Sequence, residues 1–300
     1  YSAFQKHWDT HHDKAPGMVV CSGSMQTMLR DIFEDRKEPL YKRATARMVI
    51  DEFRPLALWE MLREMRGSRA GGGDLLDLFT VFGGIPFYYY LIDAYGLWSS
   101  PLEAILLELV LRPEAILYSE GRELTVEAFG RKYGTYYGIL SAVAAGCTKT
   151  SEVANRIGTP AANIESYLSR LVHSYRFLRR IVPISSHRTS GKTTRYALCD
   201  NFLAFWFRYV LPNRSLLESN RSDTAVKMWK EDFPLYRGRI TEELIRRLVE
   251  DLAAHGAWEF EFDSIGRYFD QKGTMEIDLV LRNTTTGQAA AGECKSNLNT

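Results

Sequence analysis

The sequence predicts a multidomain fold, mainly α with α/β parts, and three observations carry that reading. First, 300 residues at 45% hydrophobic and 25% charged are enough chain for two or three ordinary globular domains. Second, long stretches of helical periodicity alternate with short apolar runs bounded by Gly, Pro and Ser, which read as strands. Third, the chain ends on two strand-like arms joined by the polar loop 283–288, as in a hairpin.

The bulk numbers narrow the function classes. A net charge of +1 gives no global attraction for nucleic acid, so any such case must come from a local patch. The four cysteines, Cys21, Cys147, Cys199 and Cys294, are scattered and none has metal-ligand spacing. They read as reduced thiols of a cytoplasmic protein. No apolar run is long enough to span a bilayer, and there is no signal peptide. The chain opens on Tyr1 rather than Met and closes five residues past Lys295, so it reads as a fragment.

Taken in order, residues 1–16 are polar and helix-like around Phe4, Gln5 and Trp8. Met18-Val19-Val20-Cys21 reads as a buried strand closed by Ser22-Gly23-Ser24, with a helix over Met25–Phe33. Arg47-Met48-Val49-Ile50 reads as a second strand. An amphipathic helix is expected from about Leu56 to Met65, then a glycine break at Gly71–Gly73, and a helix over Leu75–Phe82 leading into Gly83-Gly84-Ile85-Pro86. Leu102–Leu111 is a strongly apolar helix after Pro101.

Residues 136–200 predict a winged helix-turn-helix: three short helices and a basic hairpin. Tyr136–Ala145 is apolar and stopped by Gly146. Thr148 and Thr150 are candidate N-caps for a helix over Glu152–Ile157 with Gly158 at its C-cap, and Thr159-Pro160 opens a third helix. Phe177–Ile181 and Thr194–Leu198 read as strands flanking the polar tip Ser185–Lys192. Between Glu165 and Asp200 there is no acidic residue. Arg170 and His173 lie off the apolar stripe of the third helix, and Arg188 and Lys192 fall on the wing. Together they form a footprint for DNA phosphates. The competing reading has this basic face packing on acidic protein. From Asp200 to Asn213 the chain is apolar nearly all round, which predicts a buried helix cementing its neighbours.

In the last hundred residues, Tyr236-Arg237-Gly238 precedes a helix from Ile240 carrying Glu242 and Glu243. Trp258–Phe262 reads as a strand, and Ile265–Phe269 leads into the strand Met275–Val280. Glu293 and Lys295, two apart, would leave the same face of the last arm. Pairing Asp278 with Glu293 would bring two carboxylates and an ammonium to one point, which is what metal-assisted phosphodiester hydrolysis needs. Taken alone, Asp-x14-Glu-x-Lys is equally a hairpin with charges on its wet face.

The order of these pieces resembles a known family. Q-x-x-W-D (residues 5–9), C-S-G-S-x-x-x-M (21–28), P-L-Y-x-R-x-T (39–45), G-G-I-P (83–86), D-x-F-L-x-F-W-F (200–207) and E-I-D…G-E-C-K (276–295) resemble the archaeal-type P-loop ATPases, a branch of the AAA+/STAND class. The resemblance implies four parts. Residues 1–55 are the end of the ATPase α/β core, and 56–135 a helical lid and connector. Residues 136–213 are the winged helix with its aromatic helix, and 214–300 a PD-(D/E)xK, restriction-endonuclease-like α/β domain that is cut short. It also implies ATP as a ligand, with Ser22, Ser24, Arg43, Gly84 and Pro86 at nucleotide-facing positions. In the C-terminal domain it implies Glu242, Asp278, Glu293 and Lys295 as catalytic, with Asp278 and Glu293 holding Mg²⁺. Three departures stand out. No GxxxxGK[ST] occurs, Thr241 replaces the phenylalanine before the helix glutamate, and Ser296 replaces the tryptophan after the lysine. DNA is the expected partner; no membrane is expected.

Overall fold

The computed structural model describes residues 1–12, 14, 17–23, 29, 32–130, 133–185, 193–270 and 274–295. Among the described residues the chain is mainly helical with two small antiparallel sheets. It divides into two compact units, Tyr1–Asp51 and Glu52–Thr300.

In the first unit, α1 spans Ser2–His11. The two expected strands are not there. Residues 17–21 and 46–50 form no ladder, and Met18 (86% exposed), Met48 and Ile50 (both 85%) lie open to solvent. An apolar run becomes a strand only where a neighbour takes up its N–H and C=O groups. Among the described residues neither run has one. The expected helix Met25–Phe33 falls mostly outside the described residues.

The second unit starts with α2, Pro55–Arg66, where Pro55 takes the first helical position and Leu58 and Leu62 turn inward. Next comes α3, Gly72–Phe82, opened by Asp74, whose carboxylate accepts the Gly71 N–H at 2.9 Å. At Gly83 the chain takes φ 58°, and Phe53 N–H donates to Gly84 O at 2.7 Å. A Cβ at Gly84 would collide with the Phe53 carbonyl oxygen, so glycine is required for this close approach. Helices α4 (Pro86–Ala94), α5 (Leu102–Leu109) and α6 (Glu120–Phe129) complete the first half. Among the described residues no single helix is long and apolar enough to cross a membrane; α3 and α4 would qualify only as a pair, and that pair is bent by 113°.

Three helices and a hairpin follow: α7 (Tyr133–Ala144), α8 (Thr150–Ile157), α9 (Ala161–His173), then β1 (Leu178–Ile181) paired antiparallel with β2 (Arg195–Leu198). Gly158 closes α8 in the left-handed region at φ 67°. Neither threonine caps α8. Lys149 is the N-cap, and the Glu152 carboxylate reaches back to the N–H groups of Thr148 (2.8 Å) and Lys149 (3.0 Å).

Asp200 caps α10 (Asn201–Phe205), accepting the Leu203 N–H at 3.1 Å. The helix runs on as a π turn over Trp206–Val210. Its aromatic side chains are core, as the sequence predicts: Phe202, Phe205, Trp206 and Phe207 are fully enclosed. Trp206 lies directly over Gly121, where any Cβ would strike the indole, and its Nε1–H donates to Tyr118 O at 2.7 Å.

After α11 (Arg214–Glu218) comes α12, one helix of 33 residues from Ser222 to Ala254. It begins eighteen residues earlier than Ile240, running through Pro234 and Gly238. Trp229, Phe233 and Tyr236 are buried, so tertiary packing outweighs the hydrogen bond that Pro234 removes. The closing sheet has the order β3 (Ser264–Phe269), β4 (Glu276–Arg282), β5 (Ala289–Gly292), antiparallel throughout. The strand expected at Trp258–Phe262 is not formed; its place in the order is taken by β3, a few residues later.

Candidate functional site

The acidic edge lies where the closing sheet ends. The β4–β5 ladder stops at Leu279 opposite Gly292, and β4 carries a register irregularity against β3 between Ile277 and Val280, so Asp278 stands at the end of regular pairing with Glu293 just beyond it. Cys294 N–H donates to Asp278 Oδ2 at 2.9 Å, fixing that carboxylate, although residues 293–295 are no longer strand. Lys295 Nζ donates to Glu293 Oε1 at 2.6 Å, both side chains being exposed. This bond holds the ammonium charged, pushing its pKa up.

Helix α12 brings Glu242 against β3. Arg267 Nη1, from β3, lies 3.4 Å from Glu242 Oε2. Burial raises the Glu242 pKa; Arg267 opposes the rise, while Asp278 and Glu276 add to it. The neighbouring Cys294 thiol is pushed up to about 11, by burial first and then by Asp278 and Glu242. Glu242, Asp278 and Cys294 therefore share one electrostatic neighbourhood. The oxygens of Asp278 and Glu293 are hard donors of the kind that suit Mg²⁺, which binds through one or two carboxylates and completes its octahedron with water and phosphate. Among the described residues no group of three or more His, Cys, Asp or Glu is placed to hold a metal.

Beside Glu242 stands a second carboxylate, to which the sequence assigns no role. Glu243 is buried and accepts from three guanidiniums: Arg179 of β1 at 2.9 Å, Arg246 at 2.7 Å and Arg247 at 3.0 Å. Burial works against its charge, but the three arginines overcome it and hold its pKa down at about 2. Arg247 also bonds Glu52. The i, i+3 and i, i+4 spacing of Glu243 to Arg246 and Arg247 was a readable signal; the reach from Arg179 was not.

The nucleotide-facing positions fall in both units. Arg43 is closed on Asp9, with Nε donating to Oδ1 at 2.7 Å and Nη2 to Oδ2 at 2.8 Å, and its Nη1 donates to Pro39 O and Tyr41 O. The Asp9 bond raises the Arg43 pKa, so its donors are committed locally. Ser22 is exposed, and Ser24 lies outside the described residues. Gly84 is buried beneath Phe53, while Pro86 is exposed at the start of α4.

Of the nucleic-acid positions, Arg170 and His173 are exposed on the last turn of α9. A side-chain hydrogen bond with Tyr136 raises the Arg170 pKa. Arg188 and Lys192 lie outside the described residues.

No solved structure matches this chain. An uncharacterized protein of Methanocaldococcus jannaschii, MJECL04, is 29% identical over 302 residues, which cover 98% of this chain and 63% of the relative. The chain thus spans less than two thirds of the length of that protein. Residues 206–299, from the π turn to the acidic edge, match the family model DUF234, described as archaeal and bacterial proteins of unknown function.

Proposed function

We propose that residues 52–300 act on nucleic acid, with α9 meeting the phosphate backbone and the edge of the closing sheet serving as a nuclease-like acidic site. The observation that supports this reading is the Cys294 N–H bond to Asp278 Oδ2, which holds the Glu293–Lys295 segment beside Asp278, with Glu242 in the same electrostatic neighbourhood as Asp278. In this reading Asp278 and Glu293 hold a divalent cation, and Lys295 stabilises charge on the attacking hydroxide or on the phosphorane. Glu242, whose carboxyl is biased toward protonation, orders a water. The cation, when bound, lowers the pKa of coordinated water and offsets charge on the phosphoryl oxygens. These residues contain no GxxxxGK[ST] phosphate-cradling loop.

Cleavage of plasmid DNA with Mg²⁺ or Mn²⁺ tests the site. The wild-type chain should nick or linearise it, and Asp278→Ala should not; equal activity in the two would overturn the catalytic assignment. A second, binding-only reading is favoured by the closed Lys295–Glu293 pair, which occupies one carboxylate and the ammonium together. In that reading the acidic edge keeps its shape without cutting, and DNA binding persists with no cleavage in either protein.

A further inference from the structure

The wing hairpin has a second set of neighbours. After β1 the chain turns at Pro183, and Ile184 N–H donates to Arg267 O of β3 at 2.8 Å. The Ile184 side chain fills the space above Gly266, where a Cβ would lie 3.3 Å from it. Arg195 of β2 lies with its guanidinium carbon 4.0 Å from the centre of the Phe269 ring, and its Nη1 donates to Glu276 Oε1 at 2.9 Å. Phe269 and Glu276 are themselves paired across β3 and β4, so one guanidinium spans both strands. Arg179 of β1 donates to Glu243 of α12 at 2.9 Å.

We propose that the wing hairpin is a clasp on the closing sheet: Arg179 and Arg195 are positioning residues that fix α12 and β4, while the outer side of α9 is left to meet nucleic acid. The donors of both arginines are already committed within the protein. Arg195 is only 20% exposed and stacks on an aromatic face while pairing with a carboxylate. Guanidinium suits that combination because it is planar and weakly hydrated. Arg179 is similarly enclosed, at 28% exposure, against a carboxylate that two further arginines share. Drawing Arg195 onto a phosphate would leave Glu276 without this partner, and drawing Arg179 away would take one of three guanidiniums from Glu243, which is 11% exposed. Glu276 stands two residues before Asp278 on the same face of β4, so the clasp acts on the strand that carries the acidic site. Tied down in this way, Arg179 and Arg195 make the two strands of the hairpin a scaffold for the closing sheet.

The division of labour rests on the nucleic-acid reading; the clasp does not, and the test separates them. Amide hydrogen exchange over β3 and β4 is measured in the full 300-residue chain for wild type, Arg195→Glu, Glu276→Arg, the double reversal, Arg195→Lys and Arg195→Ala. Binding to a 20-base-pair duplex is followed in parallel across a salt series. Arg195→Glu should speed exchange in β3 and β4 by at least about tenfold, and the double reversal should restore most of that protection. Arg195→Lys should recover less than the double reversal, because an ammonium cannot stack and pair in the same way. If Arg195→Glu does not fold, Arg195→Ala gives the same direction with a smaller change. Unchanged exchange in the single variants, or a double variant no better than either, would overturn the clasp. A fall of about one in the salt slope for Arg195→Ala would show the wing touching phosphate and overturn the division of labour. If no variant and no wild type binds the duplex, the nucleic-acid reading fails while exchange still decides the clasp.

Discussion

The middle of the molecule and its closing sheet are held by different forces. Around α10 the chain is fixed by enclosed aromatic surface: Trp206 on Gly121, Phe82 stacked on Phe202, Tyr137 edge-on to Phe207. The closing sheet has little of this. Its strands bury Phe269 and Leu281 and otherwise stay largely half-exposed, and charge ties them to the rest through Arg195–Glu276 and Arg267–Glu242. Three short strands cannot enclose a core of their own, so directional ion pairs fix their position. The aromatic core should tolerate acid and salt; the sheet should not.

The largest effect that would break this comparison is expected in the aromatic core. Trp206→Ala should cost about 4 kcal/mol, from the lost indole and the cavity over Gly121, read as a lower denaturant midpoint with two-state unfolding. A loss below about 1 kcal/mol would show that the π turn does not anchor the fold. Next comes Glu243→Gln, expected to cost about 3 kcal/mol because three guanidiniums lose their shared charge. That loss should appear first as faster exchange in α12 and β3.

The pH dependence has a definite sign. The folded-state pKa of Glu243 lies at about 2, below the ordinary value of 4.5, so its stabilisation is present above about 4.5 and lost as pH falls through 2. An acid titration of stability should lose this step in Glu243→Gln. Asp200 runs the other way. Burial pushes its pKa up to about 6 from 3.8, against the Leu203 and Phe202 N–H groups that favour the anion. Its contribution is full below 3.8 and lost as pH rises through 6. Asp200→Asn keeps an N-cap acceptor and should flatten the profile between those values, a smaller effect than either substitution above.

The contrast also marks where the sequence was legible. Apolar periodicity and helix punctuation are local, and they located α2, α3, α7–α9 and the cap at Asp200 within a few residues. The buried aromatic helix followed from having no polar face. Partnership is not local. Met18–Cys21 and Arg47–Ile50 have the composition of strands, but composition does not say whether a neighbour exists to pair with. Pro234 signals a helix break, yet the buried Trp229 and Phe233 beside it keep α12 continuous. At the acidic edge, the spacing of Asp278, Glu293 and Lys295 was visible. The arginines that pair with Glu243 and Glu276 nearby were not, because Arg179 and Arg195 come from a hairpin 64 and 81 residues earlier.

The most direct test of the account is duplex binding by the full chain across a salt series, wild type against Arg170→Ala. Affinity should fall linearly with salt on logarithmic axes, and Arg170→Ala should reduce that slope by about one. Absence of salt-sensitive binding even at low ionic strength would contradict the claim that this chain engages nucleic acid.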